Sequence, residues 1–168
     1  MKPGAGVWLA ILAALLATGA LALDASALGI TSAPITFSST TLNGTDQTIA
    51  GSTSAWAADA ATESGGWHVN VSSTDFSNVE SKTIDVSNFQ IRLLDSNIIR
   101  VSGDTNKPVA TQTSFASLSG TSLKIASAAV GEGDGVYDLT PDLQLGLPAE
   151  TYTGSYTATV TITIIVGP

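Results

Sequence analysis

The sequence predicts an all-β protein, a single antiparallel β-sandwich or jelly-roll-like domain that follows an N-terminal signal peptide. Two observations support this fold class. The closing stretch, residues 156–166, alternates apolar and mostly threonine side chains with a period of two, as a half-buried strand does. Short apolar segments separated by glycine, asparagine and proline turns recur before it, whereas no helical spacing of useful length follows the leader.

Residues 1–27 have the composition of a secretory leader. Lys2 gives a short positive start, and residues 7–23 form an almost uninterrupted apolar run. A small-x-small triplet ends at Ala27, so we predict cleavage there, with cleavage after Ala22 as the alternative. A retained membrane anchor is the other interpretation, because the run is near the minimum length for crossing a bilayer. Cleavage predicts a secreted chain whose mature form does not contact a membrane.

The mature chain, residues 28–168, has the size of one domain. It contains no cysteine, so its stability must come from an apolar core and backbone pairing. The whole chain carries 14 acidic and 6 basic residues, a formal net charge of −8. Acidity without a basic cluster argues against nucleic acid and anionic lipid as partners. Abundant Ser, Thr, Ala and Gly are typical of an extracellular β-protein, which predicts a cell-surface location.

The mature chain opens with a predicted extended arm, residues 28–34, because a proline disfavours helical geometry in the residue before it. Trp67, Val69 and Val71 alternate with polar residues and should point inward. Residues 57–66 are predicted to form a small-residue loop. The predicted strands are 35–37, 41–42, 47–56, 67–71, 89–93, 98–101, 123–125, 136–139, 143–147 and 156–166.

Two segments share a pattern with one known family. In residues 65–72, two glycines precede Trp67-His-Val69. Near the C-terminus, Tyr156 is followed by Val160, Ile162 and Ile164 at the spacing Tyr-x-x-x-Val-x-Ile-x-Ile. In order and placement they resemble the proximal and distal motifs of the WxL cell-wall-binding domain of bacterial surface proteins. Val69 stands where that family usually has Leu, and Ile162 replaces its distal Trp.

The resemblance covers residues 30–168, so it implies a WxL-like domain standing alone. It implies non-covalent attachment to the cell envelope, with peptidoglycan or another envelope polymer as partner. Because isoleucine offers only apolar contact where a tryptophan could stack on a sugar, packing of Ile162 in the core is the simpler interpretation. The candidate wall-contact residues are Trp67, Val69, Tyr156, Val160, Ile162 and Ile164, together with Trp56, for which core and surface are both open.

The chain carries no recognisable catalytic constellation. His68 is its only histidine, and parity places it on the outward face of its strand. There is no Gly-x-Ser-x-Gly nucleophile elbow. We therefore expect a non-enzyme with no cofactor.

One acidic segment raises the question of calcium. The glycine-rich turn at residues 131–135 contains Glu132 and Asp134, with Asp138 and Asp142 downstream. It lacks the ordered spacing of a dedicated calcium loop, so a solvated turn is the favoured interpretation and no metal site is predicted.

The leading functional hypothesis is a secreted, non-catalytic surface protein attached to the envelope through the WxL-like domain. The alternative is a structural subunit of an extracellular filament, in which the arm at residues 28–34 adds as a strand to a neighbour's sheet. An enzyme acting on extracellular polysaccharide is the third hypothesis.

Overall fold

The computed structural model describes residues 8–12, 28–62 and 64–168, with 8–12 as backbone only. The rest of the predicted leader lies outside the described residues. The described chain is nearly all β, which confirms the predicted fold class. Among these residues no helix has the length and hydropathy needed to cross a membrane. The strands are β1 (Trp8–Leu12), β2 (Gly29–Thr31), β3 (Thr36–Thr41), β4 (Gln47–Ser52), β5 (Trp56–Asp59), β6 (Trp67–Ser73), β7 (Phe76–Ser77), β8 (Thr83–Ile84), β9 (Phe89–Arg92), β10 (Ile98–Gly103), β11 (Val109–Ala110), β12 (Ala116–Ser117), β13 (Leu123–Ala128), β14 (Gly135–Leu139), β15 (Asp142–Leu147), β16 (Ser155–Tyr156) and β17 (Val160–Val166), with 3-10 turns at Val86–Asn88 and Asp95–Asn97.

Most of these strands form three sheets. The large sheet has the order β12-β9-β15-β4-β3-β1-β16. The first small sheet is β10-β14-β5-β2, and the second small sheet is β11-β13-β6-β17. Strands β7 and β8 form a separate hairpin-like pair. Pairing is antiparallel between the named strands, except that β1 runs parallel to β16.

One buried core joins the sheets. Phe37, Phe76 and Phe89 contact one another edge to face, with ring centroids 5.5–6.0 Å apart. Trp67 of the second small sheet packs against Tyr137 of the first, at a centroid distance of 6.2 Å. Aromatic pairs of this kind add stability beyond their buried area, about 0.5–1.5 kcal/mol each. Without disulfides, this packing holds the sheets together.

The closing stretch is two strands rather than the single strand that its alternation predicts. Ser155 and Tyr156 belong to the large sheet, whereas Val160–Val166 pair with β6 in the second small sheet. Tyr156, Ala158 and Val160 are all buried, so the inward parity continues while the chain crosses between sheets. The alternation of apolar and polar residues indicates which side chains face the core, but it does not indicate which sheet contains the neighbouring strands. The period of two therefore could not reveal the crossing.

The predicted strand at residues 47–56 and the loop at 57–66 also need correction. The first divides into β4 and the start of β5, and β5 continues to Asp59 between β14 and β2. Alanine has weak strand propensity, but Ala58 is fully buried opposite Tyr137. Tertiary pairing therefore outweighs local preference here.

Part of the predicted arm forms a strand in one of the chain's own sheets. Residues 29–31 form β2, which pairs with β5 through Gly29–Asp59, Ile30–Ala58 and Thr31–Ala57. Leu28 and Ile30 are half-buried against the core. The arm is thus an edge strand of the first small sheet.

Candidate functional site

The residues predicted to contact the wall divide into a buried group and a half-buried group. Trp56, Trp67, Val69, Tyr156 and Val160 are at most 1% exposed. Ile162 and Ile164 are half-buried and pack against the core. The five buried side chains therefore have almost no surface on which a sugar ring could stack. In this fold the motif residues build the sandwich.

Trp67 is fixed by its neighbours on both sides. Its indole Nε1 donates a hydrogen bond of 2.9 Å to the carbonyl oxygen of Gly133. Gly133 has a φ of +71°, and a Cβ there would lie 2.5 Å from the Cβ of Ala128 and 3.1 Å from the indole nitrogen. The glycine of the acidic turn is therefore required by the packing of the tryptophan.

Trp56 is buried, so its surface alternative is wrong. Its Nε1 donates to the Thr53 hydroxyl at 3.3 Å, which satisfies the one polar atom of the ring. The small residues around it in the sequence suggested a loose strand end. They instead belong to β5, where the ring faces the core.

His68 faces outward on its strand, as parity predicted, but it is half-buried rather than free. Its Nδ1 lies 2.5 Å from the carbonyl oxygen of Gly167, and the amide of Gly167 donates to Gly66. A carbonyl oxygen can only accept, so Nδ1 carries the hydrogen. The hydrogen bond from the imidazole therefore connects β6 to the residue that follows the end of β17.

The four carboxylates considered for calcium are not gathered into one site. Asp142 forms an ion pair with Arg92 in the large sheet. Within the described residues, no three histidine or acidic side chains are placed to share a metal ion. The acidic turn also influences Tyr137. Burial is the main cause that raises the pKa of Tyr137, followed by the charge of Asp104 and, more weakly, by the charge of Asp134 in the turn.

A more open surface lies on the outer face of the large sheet. Strand β9 directs Phe89 and Ile91 into the core, and β15 does the same with Leu143, Leu145 and Leu147. The intervening residues are half-buried on the opposite face. We call this face, together with the turns beside it, the polar trough; its main residues are Thr48, Asn88, Gln90, Arg92, Phe115, Asp142, Gln144 and Tyr152.

The trough consists of three adjoining depressions. The first, of about 540 Å³, includes Thr48, Arg92 and Phe115. A smaller depression of about 180 Å³ shares Thr48 with it. The third, of about 460 Å³, shares Asn88 and Pro148 with the second. The shared residues make one elongated surface rather than a closed pocket, a shape suited to a chain-like ligand.

Charge and aromatic groups are combined at one end of the trough. The Arg92 Nε lies 2.8 Å from Oδ2 of Asp142, its register partner across the sheet. The guanidinium carbon also lies 4.6 Å from the centroid of the Phe115 ring. The two charged side chains are 37% and 38% exposed. Arg92 is thus held in one orientation while its remaining donors can face a ligand.

A polar pair continues this arrangement along the sheet. Gln90 and Gln144 are register partners on β9 and β15, and the Gln144 amide donates to Oε1 of Gln90 at 2.5 Å. Each amide keeps further hydrogen-bonding groups. Next to them, Gly146 has no side chain, so the surface is lower beside Asn88.

The other end of the trough repeats the combination of cation and ring. The Lys82 Nζ lies 4.3 Å from the centroid of the Tyr152 ring, and Tyr152 is 57% exposed. Nearby, hydrogen bonds from the side chain and backbone of Ser87 lower the pKa of Asp85. Aromatic faces at both ends, with amides and charges between them, suit a polyhydroxylated ligand.

The strand patterns contained the polar residues of the trough, but not their grouping. The segments 89–93 and 143–147 were both predicted as strands, with Gln90, Arg92 and Gln144 on their outward parity. Their juxtaposition depends on β9 and β15 being neighbours, although 50 residues separate Arg92 from Asp142. Paired outward polar residues on two predicted strands are the one signal that could have suggested this surface.

No protein-family model matches this chain, and no curated protein matches it. Among solved structures, it is similar to a chain from a structural study of glycolipid glycan hydrolysis by a family 123 glycoside hydrolase from Clostridium perfringens. The identity is 16% and the TM-score 0.39, over 73% of this chain. The match spans 19% of the hydrolase chain. At this level the similarity supports no conclusion about fold or function.

Proposed function

We propose that this chain is a secreted, non-catalytic cell-surface protein that attaches non-covalently to an envelope polymer, peptidoglycan or a glycan associated with it. The observation that carries the proposal is the polar trough, an elongated surface with a ring and a cation at each end. The resemblance of residues 65–72 and 156–164 to the WxL motifs supports the same function. The contact surface, however, is the trough and not the motif side chains, which are mostly buried.

Two contacts support a binding role rather than a catalytic one. His68 is held by the backbone oxygen of Gly167, and Asp142 is paired with Arg92. A general acid or base needs a side chain that is free to transfer a proton within reach of the substrate. These two groups are instead engaged in structural contacts, so we expect the polymer to be bound and left intact.

Co-sedimentation with purified, insoluble peptidoglycan tests the proposal. We expect the wild-type protein to sediment above a non-binding control protein, and Arg92→Ala to weaken binding about 2- to 10-fold, the effect of losing about 0.5–1.5 kcal/mol of stacking and polar contact. Arg100→Ala is the matched control, because it removes the same charge from an exposed residue of another sheet. Equal weakening by both substitutions would show a net-charge effect and would contradict the proposed surface.

The chemical source of the ligand is separated by a second preparation. Treatment with hydrofluoric acid removes phosphodiester-linked polymers and leaves bare peptidoglycan. Binding retained after treatment identifies peptidoglycan as the partner, whereas binding lost identifies the associated polymer. Failure of the wild-type protein to sediment with either preparation would overturn wall attachment.

A second candidate function is that of a filament subunit. One observation favours it: a strand of the predicted leader, β1, lies inside the large sheet between β3 and β16. Loss of the leader would leave that position open. Wall attachment and filament formation can occur in the same surface protein.

A further inference from the structure

Strand β1 completes the large sheet from within rather than extending its edge. It is antiparallel to β3, with four register pairs from Trp8–Thr41 to Leu12–Thr36, and parallel to β16, with the pairs Ala10–Ser155 and Ile11–Tyr156. Position 11 is thus opposite Phe37 on one side and Tyr156 on the other, and both of these side chains are buried. The position of β1 is therefore next to the core.

Removal of the leader would open a gap one strand wide. Neighbouring strands lie about 4.8 Å apart, so β3 and β16 would face each other across about 10 Å. The backbone groups that β3 and β16 now direct at β1 would lose their partners, which is the condition that favours strand addition. On the other side of β16, Thr157 and Ser77 already exchange two backbone hydrogen bonds of 2.9 Å. The gap between β3 and β16 therefore accepts one strand.

We infer that this gap is filled by the arm, residues 28–34, of a second copy of this chain. The inference rests on the proposed secretion, since it requires removal of the leader segment that contains β1, residues 8–12. The arm directly follows the predicted cleavage site, and its Leu28 and Ile30 supply apolar side chains at alternate positions. Pro34 limits its length, because proline cannot donate a ladder hydrogen bond.

The arm can form more backbone pairs in the gap of another copy than it forms in its own chain. In its own chain, β2 has three register pairs with β5 and, among the described residues, no partner on its other side within the first small sheet. In the gap, β1 has four register pairs with β3 and two with β16. Exchange between copies therefore gains backbone pairing and covers Phe37 and Tyr156.

Exchange of this kind is directional. The gap is formed by β3 and β16, whereas the arm leaves from the first small sheet, so donor and acceptor surfaces differ. A heterologous contact that does not close into a ring produces an open filament. While the leader is attached, its own strand occupies the gap, so the unprocessed chain cannot accept a partner there.

The test begins with the secreted protein. Mass spectrometry gives its N-terminus, and light scattering with negative-stain microscopy gives its assembly state. We expect a chain beginning between residues 23 and 28 to form linear oligomers. The chain contains no cysteine, so Thr31→Cys with Ala57→Cys can lock the arm to β5. Antiparallel partners have Cα atoms about 4.5–5.5 Å apart, within the range of a disulfide.

The locked variant should remain monomeric when oxidised and should assemble when reduced, whereas each single-cysteine variant should assemble in both states. A peptide of residues 6–14 should cap the gap and shorten the oligomers. The same peptide with Ala10→Pro should cap less well, because it loses a backbone donor. Equal assembly of the oxidised locked variant, or a processed chain that stays monomeric without peptide, would overturn the inference.

Wall attachment is measured separately on the locked monomer. If the processed wild-type chain stays monomeric and still binds the polymer, the exchange is overturned and the proposed function stands. If the processed chain assembles but does not bind the polymer, the proposed function is overturned and the exchange stands. The two failures are therefore distinguishable.

Discussion

Strands β6 and β15 follow the same pattern and use it for opposite purposes. Both alternate strictly between fully or nearly fully buried and half-buried residues. In β6 the recognisable residues, Trp67 and Val69, are on the buried parity. In β15 the chemically useful residues, Asp142 and Gln144, are on the outward parity. The difference shows that recognisable residues can mark packing, while the polar side chains that face outward lie on other strands.

The sharpest test of this comparison is truncation of Trp67. We expect Trp67→Ala to lower the free energy of unfolding by about 3–5 kcal/mol, because it leaves a cavity and an unpaired carbonyl at Gly133. Phe115→Ala in the trough should cost about 0.5–1 kcal/mol, since that ring is only half-buried. Urea denaturation followed by circular dichroism measures both.

Trp67→Phe replaces the alanine variant in the binding test if Trp67→Ala does not fold. It retains an aromatic ring and removes the hydrogen bond to Gly133. Its polymer binding should equal that of the wild type. A stable Trp67→Phe protein that no longer sediments with the wall would make Trp67 a ligand contact and would reverse the comparison.

Substitutions in the acidic turn should change stability less, and the turn contains two glycines of which one can serve as a control for the other. Gly131 and Gly133 both have positive φ, but a Cβ on Gly131 meets nothing within 4 Å. We expect Gly131→Ala to cost about 1–2 kcal/mol from backbone strain alone. Gly133→Ala should cost about 1–3 kcal/mol more, because its Cβ would overlap Ala128 and crowd Trp67. Thermal unfolding of the two variants gives the difference, and equal losses would show that Trp67 tolerates displacement.

The buried side of the molecule should also determine its alkaline stability. Burial, followed by the nearby Asp104 carboxylate, raises the pKa of Tyr137, and burial raises that of Tyr156. The unfolded chain therefore loses these protons at lower pH than the folded chain. Stability is retained below about pH 10, the unfolded pKa of tyrosine, and falls as the pH rises through the folded pKa.

Tyr137→Phe separates this effect from general alkaline denaturation. It removes one ionisation and also the hydrogen bond from the phenol to the Asp104 carbonyl. We expect it to be slightly less stable than the wild type near neutral pH, and to lose less stability between about pH 8 and about pH 11. Identical losses in urea titrations across this range would exclude Tyr137 as a source of the pH dependence.

The parts of the fold that were predictable are those in which local pattern and tertiary environment agree. The alternation at Trp67, Val69 and Val71 correctly predicts an inward face. The small residues at positions 57–66 predict a loop, whereas Ala57 and Ala58 belong to β5 because they pair with residues 138 and 137, far along the chain. Pairing partners and sheet changes are non-local, so the period of two does not encode them.

The same limit applies to the candidate site. The sequence shows Arg92 and Asp142 as isolated charges and Gln90 and Gln144 as unremarkable outward residues. Only the antiparallel register of β9 with β15 turns them into two facing pairs. The residues that resemble a known motif are mostly large and apolar, and side chains of this kind are usually buried, as most of these are.

The register of β17 on β6 has a consequence for the order in which the chain acquires structure. Residues 67–73 of β6 pair with residues 160–166, roughly 90 residues later, over seven positions. During synthesis, β6 lacks this neighbour until residues 160–166 have been made. Contacts of such high sequence separation form slowly, because a long loop must close before they contribute. The second small sheet therefore has β13 as the one neighbour of β6 until residues 160–166 have been made, and it is completed only then.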